Sequence, residues 1–193
     1  MQQYETFELT FKGPCLTGNQ AQADISGVFS LGGKETRVKG FYDGDGIYKV
    51  RFLPEKAGLC AYKISGAVTA EGSAECLPAG QKHGKVITEG SHFTYEDGSA
   101  YYPFGTTVYA LAHQEEALVD RTIQTLSGAP FNKVRMCVFP KHYDFNHNDP
   151  PCFAFEKKAG MEEVPQEEMM RTDVWDVRRP SFIFWHRFED ILK

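Results

Sequence analysis

The side chains best suited to chemistry in this sequence lie at the end of an apolar run. Residues 134–139 are almost all apolar, and Arg135 interrupts them. Three side chains able to bind a ligand follow the run: Lys141, His142 and Tyr143. A guanidinium buried in such a run must find a carboxylate or other strong acceptors, because an unpaired buried charge is very costly. The pattern predicts a strand that ends in ligand-binding side chains and carries a paired arginine.

A second group of candidate residues lies at the end of an earlier predicted strand, residues 105–111. This group consists of Thr107, Tyr109 and His113. Parallel sheets covered by helices place their ligands at the carboxyl ends of the strands. We therefore predict that both groups lie at the same edge of one sheet.

Acidic residues near this edge are few. They are Asp144, Asp149 and Glu156, in a stretch without clear periodicity, and we assign no catalytic pair among them. His142 and His147 with Asp144 could suggest a metal site, but a five-residue spacing in a loop is a weak signal, and solvated histidines explain it as well. We predict no metal and no cofactor.

The segment between the two groups is predicted to be a helix. From residue 114 to residue 126 apolar side chains recur at helical spacing, with Glu115 and Glu116 in the first turn, where the helix dipole favours acids. Gly128 and Pro130 end the pattern. The run that follows is apolar on both faces, which is typical of a strand buried on both sides. Strand, helix and strand then form a parallel, right-handed βαβ unit, which we interpret as the opening of an α/β (TIM-type) barrel.

A last helix is predicted after Ser181, which can cap its first turn. Its apolar stripe consists of Phe182, Trp185, Phe188 and Leu192, and Arg187, Glu189 and Asp190 are expected to face water. Such a stripe needs a large apolar partner, and self-association through an incomplete barrel is one way to supply it.

The first half of the chain is predicted to be all β. Apolar and polar residues alternate over residues 7–11, and short runs of this kind recur between Gly and Pro turns as far as residue 88. Two Asp-Gly steps at residues 43–46 predict a tight hairpin turn. Asp43 and Asp45 could instead be a calcium or acid/base pair, but turn chemistry accounts for both. The pattern favours an immunoglobulin-like sandwich.

Composition excludes several classes of protein. The 193 residues carry 21 basic and 26 acidic side chains, so a nucleic-acid partner is not expected. The five cysteines are odd in number and form no Cys-x-x-Cys pair, so neither a disulfide framework nor a zinc site is predicted. No secretory leader or membrane span is recognisable, and we predict a cytoplasmic protein without a membrane partner. Aromatic residues make up 13%, which fits β-structure and also sugar binding.

Five segments of the sequence resemble a known family. Residues 41–52 resemble the N-terminal sandwich domain that precedes the catalytic domain of certain bacterial glycoside hydrolases. The later blocks resemble the opening of their apiosidase-like (β/α)8 catalytic barrel; they are residues 101–107, 113–114, 130–143 and 184–189. The resemblance implies a sandwich domain over residues 1–90 and the N-terminal part of a catalytic barrel over residues 91–193.

The resemblance also implies a function. The family hydrolyses glycosidic bonds with retention of configuration, so the expected partner is an oligosaccharide or polysaccharide. An arginine on the second barrel strand, here Arg135, would hold the nucleophile carboxylate, and His142 and Tyr143 would bond to or stack on a sugar. The acid/base and nucleophile carboxylates would lie on later strands, so the 193 residues by themselves are expected not to turn over. A non-catalytic carbohydrate-binding sandwich and a non-functional gene fragment remain the alternatives.

Overall fold

The computed structural model describes residues 1–139, 150–164 and 171–193. It divides into two compact units, Met1–Tyr102 and Pro103–Lys193. The sequence-based division into domains at residue 90 stays a prediction. In the described residues no helix has both the length and the apolar character that crossing a membrane requires.

The first unit consists almost entirely of short strands. They are β1 (Phe7–Lys12), β2 (Ile25–Leu31), β3 (Lys34–Lys39), β4 (Phe41–Tyr42), β5 (Ile47–Phe52), β6 (Gly58–Gly66), β7 (Ala70–Cys76), β8 (Val86–Glu89) and β9 (His92–Tyr95). β1, β5 and β4 form a three-stranded sheet, and β3, β2, β6 and β7 form a four-stranded sheet. β8 and β9 form a separate antiparallel hairpin. All of the strand pairs in these three sheets are antiparallel.

The core of this unit lies between the two larger sheets. Alternate residues of β2 and β5 are buried, as a period-two pattern dictates for sheets with one covered face. The Phe29 ring of β2 stacks on the Phe52 ring of β5, with centroids 4.3 Å apart. Phe29 and Val50 are fully buried. A β-carbon added at Gly27 would lie 3.0 Å from a Val50 methyl group, so the sheets approach closely there.

The turn predicted at residues 43–46 is confirmed. It joins β4 to β5, and Gly44, Asp45 and Gly46 all have positive φ. Asp43 lies on the sheet side of the turn, where its carboxylate is 2.7 Å from the Lys49 ammonium. Both aspartates are therefore accounted for by the hairpin.

The second unit contains two helices and two small sheets among its described residues. Its elements are β10 (Gly105–Thr107), a 3₁₀ turn (Leu111–His113), α1 (Glu116–Ser127), β11 (Lys133–Arg135), β12 (Phe155–Lys157), β13 (Trp175–Pro180) and α2 (Phe182–Leu192). β10 and β11 pair in parallel around α1, so the predicted helix and βαβ unit are confirmed. β12 and β13 pair antiparallel.

The prediction of a TIM-type barrel portion is wrong. The described strands of the second unit form two separate two-stranded sheets, one of them antiparallel, and no barrel is present among them. A barrel wall needs several parallel strands in one continuous sheet. Among the described strands, β10 and β11 pair only with each other. The described chain is mostly β-structure with two helices.

The prediction that residues 134–139 form a strand buried on both faces is also wrong. β11 ends at Arg135, and all three of its residues are exposed. A strand is buried on both faces only when layers cover both faces of its sheet. A two-stranded sheet of three-residue strands offers no such cover, so apolar character alone overestimated the length and burial of this strand.

The final helix is confirmed, but its buried face differs from the prediction. Phe184 is the side chain of α2 that is fully buried, and it stacks on Phe188 at 5.9 Å. Trp185 packs edge-on against Phe184 and donates its indole N–H to the Ala154 carbonyl. Leu192 is exposed. The predicted stripe was therefore displaced around the helix, and the Ser181 side chain forms no capping hydrogen bond.

Candidate functional site

The candidate site lies where β10 and β11 end. Thr107 is the register partner of Arg135, so the two side chains start from neighbouring positions at one sheet end. Parallel pairing continues past both strands. The Val108 amide donates to the Arg135 carbonyl at 2.8 Å, and the Cys137 amide donates to the Tyr109 carbonyl at 2.9 Å. This ladder sets Tyr109 beside Arg135.

Arg135 and Tyr109 form a direct contact. The guanidinium carbon lies 5.3 Å from the centroid of the tyrosine ring, which is within cation–π range. Tyr109 is 40% exposed, and Arg135 is exposed as well. The expected burial of Arg135 is wrong, because all three residues of β11 are exposed. Within the described residues no ion pair joins Arg135 to a carboxylate, and a solvated guanidinium requires none. Its expected pairing with a carboxylate or other strong acceptors stays a prediction, since Asp144 and Asp149 lie outside the described residues.

His113 links the two chain segments that follow β10 and β11. It lies in the 3₁₀ turn after Tyr109 and is buried, with Nε2 3.2 Å from the Val138 carbonyl oxygen. A carbonyl only accepts, so Nε2 carries the proton and donates it. Burial lowers the pKa of His113 despite this hydrogen bond, because the imidazolium would lose its hydration. The ring is thus a neutral crosslink between the segments that follow β10 and β11.

The remaining predicted site residues are Lys141, His142 and Tyr143, and they lie outside the described residues. Asp144, His147 and Asp149 lie outside them too. The structure therefore brings together Thr107, Tyr109, His113 and Arg135, and the assignment of all seven side chains to a site stays a prediction.

Two carboxylates face each other elsewhere in this unit. Glu156 of β12 is the register partner of Asp176 of β13, next to an irregularity in the pairing. Asp176 is held by Arg178, whose Nε lies 3.1 Å from its carboxylate and lowers the pKa of Asp176. Sequence inspection did not single out Asp176, because the pair exists only once the two strands are in register. Across the described part of the chain no cluster of His, Cys, Asp and Glu side chains could hold a metal ion.

Arg187 is a residue whose role the sequence did not show. It was expected to face water, but its Nη2 donates to the Gln114 carbonyl at 2.7 Å, and its Nε is buried. This bond ties α2 to the residue directly after His113. The sequence pattern of α2 could not predict this hydrogen bond, because the acceptor is a backbone atom that is distant in sequence.

Comparison with known proteins gives two similarities. Residues 1–67 match a domain of unknown function, DUF5060. The whole fold is similar to a crystal structure, at 1.80 Å resolution, of a protein from Bacteroides vulgatus ATCC 8482 described as "a putative glycoside hydrolase". The two chains share 36% sequence identity with a TM-score of 0.86, over 98% of this chain and 37% of the other. A search of curated proteins finds no match.

The similarity fixes the relationship at a coarse level. At this identity and TM-score the chain is related in sequence and structure to a glycoside hydrolase-like protein. It spans little more than a third of that protein's length. The matched structure therefore contains both units of this chain and a further part of its own.

Proposed function

We propose that this chain is part of a glycoside hydrolase-like protein and that it binds glycans at the end of β10 and β11. The observation that carries the proposal is the exposed Tyr109 ring held against the Arg135 guanidinium. The similarity to a Bacteroides protein described as "a putative glycoside hydrolase" supports a sugar as the ligand. Neither nucleic acid nor a membrane is part of the proposal.

The chemistry of the site suits a saccharide. An aromatic ring offers an apolar face to the C–H bonds of a pyranose. Guanidinium donors are fixed in a planar fork that matches paired oxygen acceptors. Thr107, the register partner of Arg135, adds a hydroxyl, so the three residues offer both apolar and polar contacts to a ligand. Lys141, His142 and Tyr143 are proposed to complete the site.

Retaining hydrolysis is proposed for the whole protein of which this chain would be part. That reaction requires two carboxyl groups about 5–5.5 Å apart across the glycosidic bond. Within the described residues, Arg135 has no carboxylate paired with it, and Asp176 is occupied by Arg178. We therefore propose that the 193 residues recognise glycans without cleaving them.

Self-association is the remaining part of the proposal. Several large apolar side chains of the second unit are exposed, among them Val177 at 62%, Ile183 at 75% and Leu192 at 63%. Exposed apolar side chains in such number favour contact with another chain. A second copy of this chain is the partner we propose for the exposed Ile183 and Leu192 side chains.

A glycan array tests the proposal with the full 193-residue chain. We expect binding to a subset of oligosaccharides, abolished by Tyr109→Ala and by Arg135→Gln. Phe93→Ala is the matched control, because Phe93 is an aromatic residue of similar exposure, 48%, in the other unit. An array without any bound glycan, or binding that survives both site substitutions, would contradict the proposal.

A further inference from the structure

A cleft with a volume of about 420 Å³ opens in the first unit. Its walls come from β3, from the end of β5 and from the turn after it, and Lys85 lies just before β8. Its floor is apolar and includes Leu31 and Phe52, both buried. Small-molecule sites are commonly of this size, with an apolar lining and a few placed polar groups.

The rim of the cleft is cationic. Four cationic side chains line it, Lys34, Arg37, Lys56 and Lys85, against the two carboxylates of Glu35 and Glu55. The cleft therefore has an excess of two positive charges, whereas the whole chain has a net charge of −5. A local reversal of the overall sign draws anions to one place on an otherwise acidic protein.

Glu55 holds two of the four cations in place. Its carboxylate lies 2.9 Å from the Lys34 ammonium and 2.6 Å from the Lys85 ammonium. These two partners lower the pKa of Glu55 to about 2, so the carboxylate stays ionised at neutral pH. The Gln3 side chain also donates to the Glu55 backbone carbonyl at 3.0 Å. Lys34 and Lys85 are thus positioned and largely neutralised by one anchored residue.

The other two cations of the rim are Arg37 and Lys56. Among the described residues neither Arg37 nor Lys56 has a carboxylate partner. The stem of Lys56 lies over the β2–β3 turn, where its Cδ is 3.1 Å from the position of a β-carbon at Gly32. The stem is packed while the ammonium is available at the cleft. Arg37 contributes a fork that suits a carboxylate.

We infer that this cleft binds a carboxylate-bearing sugar, that is, a uronic acid residue of a glycan. Arg37 and Lys56 receive the carboxylate, Glu55 and its two lysines bond to ring hydroxyls, and the ring lies on the apolar floor. The charge pattern favours an anion, and the volume of the cleft favours a small one. The choice of a sugar acid over another carboxylate rests on the proposed function, while the lining of the cleft includes neither Tyr109 nor Arg135.

Calorimetric titration of the full chain with glucuronate and with galacturonate tests the inference. We expect one of them to bind, more weakly as salt rises, and glucose not to bind. Arg37→Gln is expected to weaken binding about tenfold or more, because a charge-assisted hydrogen bond is lost. Lys63→Gln removes an exposed lysine of β6 that does not line the cleft; it is the charge-matched control and should leave the affinity unchanged.

Two further sets of measurements distinguish a uronate from other anions and this cleft from the site at Tyr109. Acetate, citrate and inorganic phosphate are titrated in parallel, and equal binding of these ions would overturn the sugar assignment. Absence of uronate binding, or equal losses in Arg37→Gln and Lys63→Gln, would overturn the cleft itself. Tyr109→Ala should leave uronate binding intact, so failure at this cleft is distinguishable from failure of the proposed function.

Discussion

The Arg135 guanidinium lies 5.3 Å from the centre of the Tyr109 ring, at the end of the only parallel strand pair in the described chain. The contact depends on the parallel ladder, which continues through the amides of Val108 and Cys137. Neither residue is deeply buried, so we expect the contact to contribute little to folding. Binding and stability should therefore respond differently when it is changed.

Arg135→Gln should lower the free energy of unfolding by less than about 1 kcal/mol, the value of an exposed cation–π contact. Tyr109→Ala should cost a similar amount, because a side chain exposed to this extent leaves a small cavity at most. Urea denaturation followed by far-UV circular dichroism measures both. A loss well above this range would show that the pair is structural and would undermine its assignment to a binding site.

Phe29→Ala should destabilise the first unit by about 3–5 kcal/mol, because it deletes a fully buried ring that stacks on Phe52 between the sheets. Phe93→Ala, at 48% exposure, should cost much less. Chemical denaturation of both variants gives the comparison. Equal losses would mean that the core does not lie between the two larger sheets.

Acid should weaken the contribution of Glu55 to stability. The pKa of Glu55 falls from 4.5 to about 2 on folding, so this carboxylate stabilises the fold above pH 4.5, and the effect is lost as pH falls toward 2. The side chain is 39% exposed, so solvent screening limits the contribution to about 1 kcal/mol or less.

The measurement for Glu55 is the difference in unfolding free energy between the parent chain and Glu55→Gln at pH 6 and at pH 2.5. The difference should be positive at pH 6 and much smaller at pH 2.5. Glu71→Gln, an exposed glutamate of β7, controls for the loss of one negative charge. The same difference at both pH values would refute the stabilising pairing of Glu55 with Lys34 and Lys85.

Self-association should depend on the exposed apolar side chains of α2. The sedimentation coefficient of the parent chain is expected to rise with concentration, and Ile183→Ser with Leu192→Ser should suppress the rise. Leu59→Ser is the control, since Leu59 is 71% exposed but belongs to the first unit. A chain that stays monomeric at every concentration would refute this part of the proposal.

Local sequence signals predicted the secondary structure best where one element determines its own pattern. The apolar period and Gly128 located α1, and the Asp-Gly steps located the β4–β5 turn, since both depend on nearby residues alone. The length and burial of β11 depend on how many neighbours its sheet has, which no pattern within residues 134–139 encodes. The barrel prediction failed at the same point, because two confirmed strands of a βαβ unit do not specify a closed sheet.

The two candidate sites also differ in how far the sequence predicted them. Tyr109 and Arg135 were found as chemically suited residues in two predicted strands, although Arg135 was expected to be buried and proved to be exposed. The cationic cleft was not predicted, because Arg37, Lys56 and Lys85 are separated along the chain and meet only through sheet pairing and the turn after β5. The cleft depends on where the charged side chains lie in the folded protein, and no spacing of residues in the sequence indicates it.

The most direct test of glycan recognition is a calorimetric titration of one oligosaccharide selected on the array into the parent chain, Tyr109→Ala and Tyr109→Phe. The account predicts that Tyr109→Ala raises Kd about tenfold or more, because a ring–sugar contact is lost. Tyr109→Phe keeps the ring face and should stay within about threefold of the parent. Equal affinity of the parent chain and Tyr109→Ala would contradict the central claim.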